Sequence, residues 1–305
     1  MDYEPFLSYW QSTKNASPQT IRAYRSDLQL FEAFLKEHGI RRITQVNHAV
    51  INKYIEHMRH KPNPRFKRVG LTDASITRRL AAVSSYFEFL RATSHPKLHN
   101  PIGDLVRRWS KNDQPKPVDD AALDQLLGGV TNIRDRVLLS LFVATGLRIS
   151  EMHQLNRDSI SIELDIDDAG NERVLGTGEV VGKGNKRRRF FVDSQTLNLY
   201  AEYLAARSDE IPALFLSARK QRLSVRAIEN ILAAWCRKLN LTPINVHRLR
   251  HSYATKLANA NISSMVLKDL MGHSSLSTTQ RYFKLNETTL ARGYFSAMEF
   301  LKTES

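Results

Sequence analysis

Four short segments concentrate arginine, histidine, lysine and tyrosine, the side chains that bind phosphate and move protons around it. They are ATGLRISE at 144–151, VVGKGNKRRR at 180–189, HRLRHSYAT at 247–255 and LMGHSSLSTTQRYF at 270–283. Planar guanidinium groups bind phosphate oxygens through paired hydrogen bonds, and imidazole exchanges protons near neutral pH. A tyrosine side chain can serve as a nucleophile that forms a covalent intermediate. These residue types suit chemistry on a phosphodiester.

The third segment places two of these side chains at helical spacing. His247 and Arg250 are three residues apart, so on a helix they share one face and reach the same phosphate. Leu249, Tyr253 and Leu257 form a neighbouring apolar stripe that would bury this helix and turn the pair toward a pocket. Each residue alone is equally typical of a solvated surface, so the prediction of a functional pair depends on the other three segments.

In order and character, the four segments resemble the active-site motifs of the tyrosine recombinase (phage integrase) family. The chain is most similar to its short Xer-like and transposon-borne members, and the resemblance covers essentially the whole chain. It implies that Glu151, the acidic residue after the first arginine, orients Arg148 or His273. Residue by residue, it implies a catalytic set of Arg148, Lys183, His247, Arg250, His273 and the nucleophile Tyr282.

The implied roles agree with the chemistry of phosphodiester cleavage. The two arginines would stabilise a pentavalent transition state with added negative charge on its non-bridging oxygens. Tyr282 would attack phosphorus and leave a 3′-phosphotyrosyl intermediate with a free 5′ hydroxyl, which conserves the bond energy, so no ATP, metal or other cofactor is expected. Because a phenol has a pKa of about 10, nearby cations must favour its ionised form. His273 would donate to the phosphate or help to move the tyrosine proton.

The second segment contains two lysines that compete for one role. Lys183 lies in a predicted hairpin turn, GKGNK, from which an ammonium group could protonate the leaving 5′ oxygen. Lys186 lies in the same turn and is the alternative. The spacing from Arg148 is longer than in compact Xer-like members, because the insertion DIDDAGNERVLGTGE extends the sheet region. We expect Lys186 and Arg187 to contact DNA.

The elements that position these segments follow from apolar periodicity. Three helices are predicted in the first third of the chain, beginning at Ser17-Pro18, after Asn47 and at Thr72. Residues 1–112 hold 19 Lys and Arg against nine Asp and Glu, whereas the remainder holds 26 against 22. This excess favours a contact with a phosphate backbone, with Arg78 and Arg79 as candidate DNA-binding residues. For each arginine taken singly, a solvated helix surface is the alternative.

A polar stretch with two prolines, SKNDQPKPVD at 110–119, predicts a linker between domains. We expect an all-α domain at 1–112, which resembles the SAM-like core-binding domain of the family, a linker at 113–118 and a catalytic domain at 119–305. The predicted fold class is mainly α with a small antiparallel sheet, the catalytic domain being α+β. In that domain a strand is predicted at 159–166, a hairpin at 179–192, and helices at 120–127, 133–144, 196–206, 225–239, 247–260, 263–271 and 288–301.

The predicted terminal helix at 288–301 has an apolar face formed by Leu290, Tyr294, Met298 and Leu301. The family resemblance implies that it is an exchange helix, which docks on a neighbouring protomer and links a homotetramer on two DNA sites. Docking on its own domain is the alternative.

Composition narrows the classes of partner. The formal net charge is +14, which favours a polyanion such as nucleic acid. The longest apolar stretch, Val137–Leu147, is much shorter than the ~20 residues of a membrane-spanning helix, so no membrane partner is expected. The first ten residues lack the pattern of an export signal, and we expect a cytoplasmic protein.

Two further features are candidate reactive or metal sites. Cys236 is the only cysteine, which excludes an internal disulfide, and its helical surroundings favour a packed small side chain. Asp165, Asp167 and Asp168 could bind a divalent cation, but their place beside Gly170 is more typical of a solvated hairpin tip. No metal site is predicted.

Together these features predict a site-specific recombinase that cuts and rejoins double-stranded DNA during integration, excision or resolution, with a second recombinase or accessory protein as a possible partner. One alternative has the same active-site chemistry, namely a type IB topoisomerase or hairpin telomere resolvase. The other is a DNA-binding regulator that has kept the fold and lost activity.

Overall fold

The chain forms two compact units, Met1–Asp113 and Gln114–Ser305. The computed structural model describes residues 1–63, 68–103, 116–166, 170, 172–182, 187–273, 275–283, 295 and 298. The described part is mainly helical with a small antiparallel sheet, so the predicted fold class is confirmed.

Among its described residues, the first unit contains four α-helices. They are α1 (Glu4–Ser12), α2 (Pro18–Glu37), α3 (His48–His60) and α4 (Asp73–Thr93), with a short antiparallel pair, β1 (Pro62–Asn63) and β2 (Arg68–Val69). The side chains of Ser17, Asn47 and Thr72 cap the last three helices by accepting hydrogen bonds from backbone amides. These starts were predicted, whereas α1 and the β1–β2 pair were not.

The apolar stripes of these helices meet in one core. Phe31 of α2, Ile51 of α3 and Leu80 of α4 are completely buried. Phe6 of α1 packs on the same core through edge and stacked contacts with other aromatic rings. The 3.6-residue period of each stripe therefore explains how the helices pack.

The second unit contains eight helices and three strands among its described residues. The helices are α5 (Asp120–Gly129), α6 (Ile133–Thr145), α7 (Ile149–Gln154), α8 (Ser194–Ala205), α9 (Val225–Lys238), α10 (Val246–Asn259), α11 (Ser264–Met271) and α12 (Leu276–Gln280). The strands are β3 (Ser161–Ile166), β4 (Glu172–Val181) and β5 (Arg187–Val192), which form an antiparallel sheet in chain order.

The sheet differs from the prediction in one respect. Strand β4 begins at Glu172 rather than at Glu179, because it pairs along all of β3 before it pairs with β5. The predicted hairpin is therefore the second half of a three-stranded meander. Residues 113–115 of the predicted linker, and the predicted helix at 288–301 apart from Phe295 and Met298, lie outside the described residues.

Two apolar clusters support the second unit. The larger contains Leu138 and Phe142 of α6, Phe190 of β5 and Leu249 of α10. The smaller joins α10, α11 and the segment after α12 through Ala254, Ala258, Leu267, Met271 and Tyr282. This smaller cluster holds the turn after α11 and Tyr282 against one face of α10.

Three expectations about other sites can be compared with the structure. Cys236 is buried in α9, in agreement with a packing role. Asp165 accepts a hydrogen bond from Arg173 at 2.6 Å, while Asp167 and Asp168 lie outside the described residues. Within the described part of the chain there is no group of three metal-ligating side chains, and no helix is long and apolar enough to cross a membrane.

Candidate active site

Arg148 lies at a sharp turn between α6 and α7. Helix α6 ends at Gly146, whose φ of 57° is left-handed, and a Cβ atom there would lie 2.3 Å from the ring of Tyr253. Arg148 is the N-cap of α7, and its backbone N–H donates to Glu151 at 2.7 Å. Its guanidinium group also donates to Glu151 at 2.8 Å and to the carbonyl oxygen of Gly272 at 2.9 Å.

Glu151 connects two arginines from a buried position. Its residue is 1% exposed, and its second carboxylate oxygen accepts a hydrogen bond from Arg188 at 2.7 Å. Burial alone would raise the pKa of Glu151, but hydrogen bonds from Arg188 and Arg148 outweigh it, so the pKa lies below its ordinary value. The carboxylate remains ionised and orients both arginines. It contacts Arg148, one of its two expected partners.

Arg188 is a site residue that sequence analysis missed. It lies on β5 in phase with Phe190 and Val192, so its side chain is on the buried face of the strand. It also donates to the carbonyl oxygen of Leu270, and its Nε has no hydrogen-bond partner among the described residues. The alternation of RRRFFV was the available signal, since a period of two assigns Arg188 to the buried face.

Arg250 is the most deeply buried guanidinium group of the site, with 3% of the residue exposed. It lies on α10 and donates to two carbonyl oxygens, those of Gly146 and Met271. Burial, together with the positive charges of Arg148 and Arg188, lowers the pKa of Arg250 to about 9, which still leaves it protonated at neutral pH. His247 is one turn earlier on the same helix, as predicted, and is accessible to solvent.

Two clefts that share Arg148 are lined by predicted site residues. One, of about 670 Å³, is lined by Arg148, His247 and Arg250. The other, of about 410 Å³, is lined by Arg148, Arg187 and His273. Arg148 borders both clefts, and four of the predicted catalytic residues, Arg148, His247, Arg250 and His273, line one or the other.

His273 follows Gly272, the left-handed residue that ends α11. Its Nδ1 lies 2.9 Å from the hydroxyl oxygen of Thr279, and its ring is nearly parallel to that of Tyr282 at 6.3 Å between centroids. Burial, followed by nearby arginine charges of which Arg250 contributes most, lowers the pKa of His273 to about 4. Partial burial and the charge of Arg250 also lower the pKa of His247. Both rings are therefore neutral at pH 7 and can exchange protons.

Tyr282 follows α12 and is 6% exposed. Its hydroxyl oxygen lies 2.6 Å from Nδ1 of His251, a residue that sequence analysis did not select. The signal was present, since His251 is four residues after His247 on the same helix face. Burial raises the pKa of Tyr282, and the charges of Arg250 and Arg281 oppose this rise.

Three further predicted residues belong to the second sequence segment. Lys183 and Lys186 are outside the described residues. Arg187, at the start of β5, is exposed and forms an ion pair with Glu179 at 3.0 Å.

Arg78 and Arg79 belong to the first unit, where both approach the buried carboxylate of Asp27. Arg78 donates to both oxygens of Asp27, one of them at 2.9 Å, and Arg79 lies 3.7 Å from it. Burial raises the pKa of Asp27, while the hydrogen bonds from Arg78 oppose the rise. Both arginines thus have a partner within their own unit.

The fold and the site together define a tyrosine recombinase, and comparison with known proteins agrees. The model of the phage integrase family matches residues 118–289, and that of the phage integrase N-terminal SAM-like domain matches residues 4–94. Tyrosine recombinase XerC of Actinobacillus succinogenes is 30% identical over 302 residues, which is 96% of both chains. The XerC of Haemophilus influenzae (strain PittEE) is 32% identical over 300 residues, covering 96% of this chain and 95% of its own.

Solved structures share the fold. The Tn1549 transposon integrase in complex with transposon right end DNA has a TM-score of 0.70 at 16% identity, covering 96% of this chain and 97% of its own. The XerH site-specific recombinase bound to difH substrate before cleavage has a TM-score of 0.67 at 19% identity, covering 93% and 81%. The chain belongs to the phage integrase family. The predicted family and enzyme class, a site-specific recombinase acting on DNA, are confirmed.

Proposed function

We propose that Tyr282 attacks the scissile phosphodiester of a DNA recombination site and forms a 3′-phosphotyrosyl bond. Arg148 and Arg250 bind the non-bridging oxygens in the transition state, and His247 and His273 hydrogen-bond to the same phosphate. The released 5′ hydroxyl of a partner strand then reverses the reaction. The cycle conserves the number of phosphodiester bonds, so it needs neither ATP nor hydrolysis.

One observation carries this proposal: three arginines converge on the carboxyl end of α11. Arg188, Arg250 and Arg148 donate to the successive carbonyl oxygens of Leu270, Met271 and Gly272. These acceptors are neutral, so they orient the guanidinium groups without neutralising their charge. The same chain continues through His273 to Tyr282. A phosphate bound by Arg148 and Arg250 would therefore lie near the segment that carries the nucleophile.

Lys183 is proposed to protonate the leaving 5′ oxygen, with Lys186 as the alternative. A substrate with sulfur in place of that bridging oxygen distinguishes the lysine that protonates the leaving group from one that only binds DNA, because a thiolate leaves without a proton. The cleavage defect of Lys183→Ala should disappear on this substrate, whereas a defect in DNA binding should persist.

The finer features of the assembly are also proposals. The SAM-like match ends at residue 94 and the integrase match begins at 118, which supports a boundary within the linker at 113–118. Four protomers bring two sites together, the segment 288–301 links neighbours, and a second recombinase or accessory protein takes part at some sites. Both units contact the duplex, with Arg78, Arg79, Lys186 and Arg187 as DNA contacts. Since the substrate is DNA, we place the protein in the cytoplasm.

The test is a nicked DNA substrate, in which the short strand diffuses away after cleavage and traps the covalent complex. The wild type should yield a protein–DNA adduct on a denaturing gel. Tyr282→Phe should bind the same DNA with a similar Kd and yield none. An adduct of normal amount with Tyr282→Phe would show that another residue is the nucleophile.

A further inference from the structure

The hydroxyl group of Tyr282 has a specific hydrogen-bond partner. Its oxygen is 2.6 Å from Nδ1 of His251, and the ring centroids are 5.7 Å apart. His251 lies on α10 beside Arg250, while Tyr282 reaches α10 from the segment after α12. Two elements distant in the sequence therefore place an imidazole nitrogen against the oxygen that forms the bond to phosphorus.

The direction of this hydrogen bond follows from the surroundings. Tyr282 is buried, and a buried phenol O–H requires an acceptor. Among the described residues, Nδ1 of His251 is the acceptor that the structure provides. Burial, with the charges of His247, Arg281 and Arg250, lowers the pKa of His251 to about 4, so at neutral pH one ring nitrogen carries no proton. The phenol therefore donates to Nδ1.

We propose that the imidazole of His251 accepts the phenolic proton of Tyr282 as the phenol oxygen attacks the scissile phosphorus. The bond between phosphorus and the tyrosine oxygen forms, and the bond between phosphorus and the 5′ oxygen breaks. The phenolic proton moves to Nδ1, and the leaving 5′ oxygen receives a proton from the lysine proposed above as the general acid. During religation the 5′ hydroxyl attacks phosphorus and gives its proton back to the lysine amine, while Nδ1 returns its proton to the departing phenolate.

The charges around His251 connect this transfer to substrate binding. The imidazole faces His247 and Arg250 of its own helix, as well as Arg281 and Tyr282 after α12, and the ring of His273 is nearly parallel to that of Tyr282. In the free protein, these cations disfavour an imidazolium group. A bound phosphate brings negative charge to the arginines and offsets their effect. The proton can then leave Tyr282 at the stage when the phosphorus is in place.

This inference rests on the proposed function, since it assumes that Tyr282 is the nucleophile. The experiment measures adduct formation on the nicked substrate in a single turnover for the wild type, His251→Ala and His251→Asn. Asparagine can place an amide oxygen near the position of Nδ1, so it keeps a hydrogen-bond acceptor that cannot take up a proton. Both variants should lose about 10²–10³-fold in cleavage rate while the Kd for DNA changes little.

Two results would overturn the assignment. A wild-type rate for His251→Asn would mean that the histidine only positions the phenol, and a wild-type rate for His251→Ala would mean that it has no role. His95→Asn, a histidine substitution at an exposed position of the first unit, is the matched control and should cleave normally. Tyr282→Phe tests the nucleophile separately from the base. Loss of the adduct in this variant supports attack by Tyr282, whatever result the His251 variants give.

A second experiment changes the acidity of the nucleophile and measures how far the cleavage rate then depends on His251. Incorporation of 3,5-difluorotyrosine at position 282 makes the phenol more acidic, so its attack needs less help from a base. The fluorinated form should recover at least about tenfold of the rate lost in His251→Asn, since general-base assistance is worth more for a weaker acid. An equal loss for both phenols would contradict proton transfer to His251.

Discussion

The arginines of the proposed site are held mainly by main-chain carbonyl oxygens, and one carboxylate connects two of them. Leu270, Met271 and Gly272 supply the carbonyl groups at the end of α11. Glu151 supplies the carboxylate, shared by Arg148 and Arg188. Neutral acceptors fix the geometry but leave positive charge for a phosphate. At the scale of residues, the site is therefore prearranged for an anion before DNA arrives.

Glu151→Gln tests this arrangement. The amide removes the negative charge between two guanidinium groups, so we expect the rate of DNA cleavage to fall about 10- to 100-fold through misplacement of Arg148. Loss of the charged hydrogen bonds should lower the free energy of unfolding by about 1–3 kcal/mol. Cleavage at the wild-type rate would show that Arg148 needs no such support.

The pH dependence of stability gives an independent check on Glu151. Its pKa is lower in the folded protein than the ordinary value of 4.5, so its stabilisation is fully present above about pH 4.5. This contribution is lost as the pH falls through the folded-state pKa. The difference in unfolding free energy between the wild type and Glu151→Gln should shrink over this acidic range. A constant difference between pH 7 and pH 3 would contradict the assignment.

At the scale of elements, tight turns place the functional side chains. The left-handed Gly146 ends α6, and Gly272 ends α11 in the same way. The first turn presents Arg148 together with a carbonyl acceptor for Arg250, and the second leads to His273. Helix α10 lies against both through Arg250. The geometry of the site thus depends on where helices end as much as on what they contain.

Gly146→Ala tests the first turn. A Cβ atom would lie 2.3 Å from the Tyr253 ring on a backbone with φ of 57°, so we expect a loss of about 2–4 kcal/mol in unfolding free energy and weaker cleavage. Gly128→Ala is the matched control, since its Cβ atom would meet open space near the end of α5. It should cost nothing and gain up to about 1 kcal/mol. Equal stability of the two variants, measured by chemical denaturation, would contradict the role of the turn.

Apolar periodicity was sufficient to predict most helices, because their caps and stripes are local signals. Ser17, Asn47 and Thr72 began helices as expected. The start of β4 was missed because its pairing with β3 depends on a partner strand rather than on its own alternation. Arg188 and His251 were missed for a related reason: their partners, Glu151 and Tyr282, are 37 and 31 residues away.

At the scale of the whole molecule, charge divides unevenly along the chain. Residues 1–112 hold 19 basic and nine acidic residues, and the rest is closer to balance. In the first unit, Arg78 and Arg79 approach Asp27, so a fraction of this charge stabilises the fold. Arg25, Arg59 and Arg91 also pair with carboxylates of this unit, and the net excess of positive charge favours binding to the phosphate backbone. Affinity for DNA should therefore depend strongly on counterion release.

This expectation is measurable as the slope of log K against log salt concentration. Each phosphate contact contributes about −0.9 to the slope for duplex DNA. Arg187→Ala should make the slope less negative by about 0.9, since this exposed arginine borders the cleft that also contains Arg148 and His273. The same change should appear on a recombination site and on unrelated duplex. An unchanged slope would remove Arg187 from the DNA contacts.

The proposed reaction requires that the phenol oxygen of Tyr282 forms a bond to DNA. Mass spectrometry of the trapped adduct, after nuclease and protease digestion, locates the residue that carries the nucleotide. We expect a nucleotide joined through its 3′ phosphate to the peptide that contains Tyr282. A nucleotide attached to any other residue would contradict it.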